Sequence, residues 1–131
     1  MFSERRCAAT IPARDLERAK QWYAETLGFK PKDEGPGGVL YAAGDGTEFL
    51  VYQSEYAGTN QATAMAFLAK DLSSEMKDLR SRGVRFEEYD IPGVKTVDGI
   101  AEFAPGERGG WFKDSEGNIL ALFESARYHQ T

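Results

Sequence analysis

Few residues of this chain combine the types and spacing that acid–base or metal chemistry needs. Glu48, Tyr52 and Glu102 fall in strand-like segments. A lone glutamate against apolar walls has its pKa raised and can serve as a general base. No second titratable group stands at a spacing that pairs with any of the three. Asp114-Ser115-Glu116-Gly117 has the acidic look of a metal loop, but these residue types in this order are turn chemistry. Gly35-Pro36-Gly37-Gly38 lacks both the phosphate-loop pattern and its lysine, and reads as a turn or mobile loop. The single histidine, His129, sits near the end of the chain and reads as a solvated tail residue. The single cysteine, Cys7, allows no intrachain disulfide and suits a reducing compartment.

The elements that carry these residues come as two copies of one unit. Asp15-Leu16 and Asp71-Leu72 stand 56 residues apart. Each aspartate is a helix N-cap. One helix then buries a stripe of Leu16, Ala19, Tyr23 and Leu27, the other a stripe of Leu72, Met76 and Leu79. The helices end at Gly28-Phe29 and Gly83-Val84. Trp22 lies off its stripe and reads as a packing or interface residue. Asp45 to Tyr52 is echoed by Glu116 to Phe123, 71 residues later. A repeated unit this small cannot bury its own core, so a site is expected where two such units meet.

Alternation predicts strands over 6–11 (ended by Pro12), 29–34, 39–42 and 48–53 in the first half. In the second half it predicts strands over 62–69, 84–89, 100–104, 110–113 and 118–125, with a long loop over 90–99. The first module spans about 6–53, a polar linker 54–61, the second module 62–125, and a frayed tail 126–131. The 131 residues form a single domain of two fused half-domains.

Composition narrows the partners. A formal charge of −5 disfavours a nucleic-acid role, which needs clustered cations against phosphates. It suits a neutral or cationic small ligand. No apolar run approaches the ~20 residues of a membrane span. No apolar stretch follows the early arginines, so no signal peptide is read there and the expected location is the cytoplasm.

Four segments, in order and inside a repeat, carry a resemblance. They are Ile11 to Ala19, Trp22-Tyr23 before Leu27-Gly28-Phe29, Phe67 before Lys70-Asp71-Leu72, and Phe112 to Asn118. From about residue 6 to 125 the chain resembles the vicinal oxygen chelate superfamily, the group of glyoxalases, bleomycin-resistance proteins and extradiol dioxygenases. The resemblance implies an α+β fold. Two βαβββ modules in pseudo-twofold arrangement curl a mixed sheet around a cavity, with the helices outside. It also implies a homodimer. Enzymes of that group hold a divalent metal through the first and last strands of each module. Carried over by the spacing to Asp15, Asp71, Gly46 and Gly117, those positions are Ala8, Ala64, Leu50 and Ala121. None has a donor atom, whereas a divalent ion needs oxygen, nitrogen or thiolate ligands. The expectation is therefore no metal and no cofactor.

The same alternation places Ala8, Thr10, Leu50, Tyr52, Ala64, Ala66, Ile119, Ala121 and Phe123 on the cavity side, with Phe103 and Trp111 reaching it from the hairpin. The expected ligand-binding set is Ala8, Leu50, Tyr52, Ala64, Ala66, Phe103, Trp111, Ala121 and Phe123. Small residues give clearance, and Tyr52, Trp111 and Phe123 give stacking surfaces for a bulky, flat, aromatic or cationic ligand. The same pattern also describes a closed core. The expected function is metal-free sequestration of a bulky aromatic or natural-product ligand, similar to antibiotic resistance. The alternatives are a lyase, isomerase or oxygenase with a non-standard or metal-free site, and an interaction module with a filled cavity.

Overall fold

The structure is a computed structural model, and it describes residues 1–125. The predicted tail 126–131, with His129, lies outside the described residues. The first module runs β1 (Ala9–Ala13), α1 (Leu16–Leu27), β2 (Pro31–Gly35), β3 (Gly38–Ala42) and β4 (Glu48–Gln53). The second runs β5 (Thr63–Leu68), α2 (Leu72–Ser81), a small hairpin β6 (Asp90–Ile91) and β7 (Val94–Lys95), then β8 (Ala101–Ala104), β9 (Glu107–Lys113) and β10 (Ile119–Glu124). Each module closes a four-stranded mixed sheet, in the orders β1-β4-β3-β2 and β5-β10-β9-β8. In each sheet the first and last strands are parallel neighbours and the hairpins are antiparallel. The fold is α+β with two repeated modules, as the repeat predicts.

Both helices form for the reasons legible in the sequence. The Asp15 carboxylate accepts from the N–H of Arg18, and that of Asp71 from the N–H of Ser74. Gly28 ends α1 in the left-handed region, at φ 79°. Each helix packs on one sheet face, where Tyr23, Tyr41, Phe49, Leu72, Met76, Phe112 and Leu120 are fully buried. The core is continuous across the modules: Phe67 meets Phe29 and Phe49, and Trp22 packs against Phe112. β1 and β5 lie side by side along the seam, without a shared ladder.

Three expectations are corrected. Pro12 does not end the first strand, which begins later and runs on to Ala13. β1 is the edge of its own ladder, so the missing N–H costs no bond. Residues 84–89 do not form a strand. β8 already pairs with β9 as far as Gly109, and only Phe86 (a bridge to Phe112) and the Glu87 N–H (to the Trp111 carbonyl) reach the remaining edge. Residues 90–99 are not a plain long loop, because Asp90–Ile91 and Val94–Lys95 pair as the antiparallel hairpin β6–β7.

Candidate functional site

Alternation along each strand divides the sheets into a helix-facing side and an open side. On β9 and β10, Phe112, Leu120 and Leu122 face the core, which leaves Trp111, Ala121 and Phe123 on the opposite side. There the rings of Trp111 and Phe103 meet edge to face, with centroids 5.9 Å apart and planes at 89°. Tyr89 meets Trp111 at 5.5 Å in the same manner. Phe103 lies 6.1 Å from Phe123. Edge-to-face packing is favourable in itself. Gly109 lies between these rings: a Cβ there would stand 3.5 Å from Phe123 and 3.6 Å from Phe103. The Trp111 indole N–H donates to the Thr63 hydroxyl at 3.1 Å, which fixes the ring over β5.

The sequence-predicted residues are distributed as follows. Ala121 pairs with Trp111 on one side and Ala66 on the other. Leu68, opposite Phe123, extends the same surface. Phe103, Trp111, Phe123, Ala66 and Ala121 are thus brought together on the second sheet. Leu50 and Tyr52 share the open side of the first sheet, opposite Thr10 and Pro12. Ala8 precedes β1 and is exposed. Ala64 departs from its predicted place. The ladder shifts register between Ile119 and Leu120, and Ala64, at that irregularity, packs against the core. Thr63 takes the position beside Trp111 instead. The surface is an open shelf rather than an enclosed cavity, since Phe103 and Leu68 are 45% and 42% exposed. Tyr89, Gly109 and Thr63 were not marked by the strand alternation, because each depends on a loop path, an absent side chain or a bulge.

Of the acid–base candidates, Glu48 is held in ion pairs by Lys32 at 2.5 Å and by Arg6 at 3.1 Å. The Lys32 hydrogen bond above all holds its carboxyl below the usual range, opposite to the rise a general base needs. Glu102 is exposed across from Arg108.

The turn 114–118 does more than reverse the chain. Its side chains are buried and reach across the seam. Asp114 accepts from the Tyr23 hydroxyl at 2.8 Å and from its own turn's N–H groups. Asn118 donates to the Pro12 carbonyl and accepts from Gly58. The Glu116 carboxylate, fully buried, accepts from the N–H groups of Arg14 and Asp15 and from the Arg18 guanidinium at 2.8 Å. Burial alone would raise its pKa; the bonds from Arg18, Asp15 and Ser115 outweigh that and hold it at about 2. Burial, then the Asp114 carboxylate, pushes the Tyr23 phenol upward. These residues clamp the modules together.

The four positions where related enzymes place metal ligands do not fit a metal. Ala8, Leu50, Ala64 and Ala121 end in hydrocarbon. Among the described residues no three His, Cys, Asp or Glu side chains converge into a ligand group. No helix among those residues is long and apolar enough to cross a membrane.

Comparison with known proteins follows the same lines. Residues 7–122 match the family described as Glyoxalase/Bleomycin resistance protein/Dioxygenase superfamily. No curated protein matches the sequence significantly. Solved structures match over nearly the whole chain. A glyoxalase family protein from Enterococcus faecalis is 19% identical, with a TM-score of 0.70, over 95% of this chain and 100% of that one. A superfamily member from Sphaerobacter thermophilus DSM 20745 is 22% identical, with a TM-score of 0.67, over 94% and 98%. TnmS3, an antibiotic binding protein from Streptomyces sp. CB03234, is 22% identical, with a TM-score of 0.61, over 91% and 95%. At these identities the likeness is one of fold.

Proposed function

We propose a ligand-sequestering role for this chain, which belongs to the Glyoxalase/Bleomycin resistance protein/Dioxygenase superfamily. In this reading it binds a bulky, flat, aromatic natural product on the open side of the sheet, without a metal, and acts by lowering the free concentration of that molecule. One observation carries the reading. Trp111, Phe103, Phe123 and Tyr89 form a run of contacting rings, with Phe103 exposed and Trp111 and Tyr89 half-buried, beside Ala66 and Ala121, the latter a position where catalytic relatives would present a donor atom. The antibiotic-binding neighbour of the same fold supports it. Covering apolar rings yields about 25 cal/mol per Å², and each stacked pair adds about 0.5–1.5 kcal/mol. The net charge of −5 favours a ligand with a cationic group.

The reading includes a reducing cytoplasm, supported by one unpaired and exposed cysteine. It also includes a homodimer, for which exposed Ile91 and Val97 offer apolar surface. Sedimentation velocity tests the dimer: a single species at monomer mass removes it.

The binding test is a titration with planar polycyclic aromatic antibiotics, followed by tryptophan fluorescence. Saturable quenching is expected, and Trp111→Ala should weaken binding about tenfold, the loss of one stacked partner. Equal affinity in that variant would remove the site from this face.

A further inference from the structure

We propose a second ligand site, in the seam between the modules, that takes an amphipathic organic anion. It lies where the internal symmetry places a counterpart of the 114–118 clamp and the side chains to build one are missing. Shifted by the repeat, Asp114, Ser115, Glu116 and Asn118 fall on Ala43, Gly44, Asp45 and Thr47, while Arg18 and Tyr23 fall on Ser74 and Leu79. The buried acids are thus replaced by a methyl group and an exposed Asp45, held in the left-handed region at φ 58°. Their partners across the seam are replaced by a short hydroxyl and an aliphatic chain. The N–H groups of Lys70 and Asp71 correspond to those that bind Glu116. Here they donate to Glu75 of their own helix, at 2.9 and 2.8 Å. The turn Gly44–Gly46 therefore has nothing to grip, and a groove of about 710 Å³ remains beneath it.

The groove has the build of a small-molecule site. Its volume lies within the range typical of such pockets, about 300–1,000 Å³. Ala43, Phe49, Met65 and Phe67 form an apolar floor continuous with the core. The rim decides the charge. Glu48 is already neutralised by Lys32 and Arg6. Lys70 has no ion-pair partner among the described residues and stands at the groove's edge. Lys32 and Arg6 stand outside the lining, so Lys70 is the one cation that lines the groove, beside Asp45 and the already paired Glu48. A carboxylate head on Lys70 with a hydrocarbon body over Phe67 and Met65 satisfies both parts of the groove.

Decanoate is the probe, followed by amide chemical shifts of the uniformly labelled protein. Saturable shifts are expected at Gly44, Thr47, Phe67 and Lys70. Lys70→Glu should weaken binding about tenfold through loss of a charge-assisted contact, and Lys70→Arg should retain it. Thr47→Trp, on the exposed rim, should block the groove without touching the core. Decyltrimethylammonium should bind more weakly than decanoate. The site is overturned if decanoate gives no saturable shifts, if they fall on Phe103, Trp111 and Phe123 instead, if Lys70→Glu binds like the parent, or if the cationic amphiphile binds as well. The groove shares Ala66 and Leu68 with the ring-bearing shelf, and the two sites are told apart by Lys70→Glu, which should leave binding of the polycyclic aromatic probe unchanged.

Discussion

At the scale of single residues, the most constrained group is the Glu116 carboxylate. It is fully buried, and its charge is balanced by Arg18 and by two backbone N–H groups of the α1 entry. Removing it strands those donors, so Glu116→Ala should lower unfolding free energy by about 2–3 kcal/mol in urea titrations. Its pH dependence has a definite sign. The folded-state pKa of about 2 lies below the usual carboxylate value. The stabilisation is therefore complete above about pH 4.5 and is lost as pH falls toward 2. Urea midpoints measured between those values should fall for the parent and flatten in Glu116→Gln. In the sequence this residue read only as part of a turn, because nothing local shows that Arg18 lies 98 positions away across the seam. The nine proposed contact residues fared unevenly for a related reason. Trp111, Phe103 and Phe123 could be assigned from alternation, but Ala64 could not, because a single register shift reverses a residue's side.

At the scale of elements, local signals were sufficient where the element depends on its own residues. Both N-caps and the glycine stop of α1 are of this kind. They failed where a neighbour decides. Residues 84–89 alternate like a strand, yet the β9 edge they would need is already partly occupied by β8. Pro12 reads as a stop, yet sits harmlessly on a ladder edge. The linker shows the same dependence. Gly58 has φ 75°, and a Cβ there would lie 2.6 Å from the Glu116 carbonyl oxygen. Gly58→Ala should therefore destabilise the protein by about 1–3 kcal/mol and loosen the clamp, a loss that thermal unfolding would register. Gly37→Ala meets nothing within 4 Å and should be nearly neutral in the same assay.

At the scale of the whole molecule, duplication supplied two equivalent seams and divergence used them differently. One is locked by Asp114, Glu116 and Asn118; the other is open over an apolar floor. The open face of the second sheet carries the rings, while the first sheet offers Leu50 and Tyr52 in the same position. The repeat was legible from spacing alone, whereas Ala8, Leu50, Ala64 and Ala121 were singled out only by the family resemblance. The asymmetry between the seams was not legible, since it arises from contacts between modules.

Calorimetric titration of chelator-treated protein with a planar polycyclic aromatic antibiotic tests the central claim most directly. Saturable binding without added metal, weakened about tenfold by Trp111→Ala, is the expected result. Binding that requires an added divalent cation, or that is indifferent to Trp111→Ala, would contradict it.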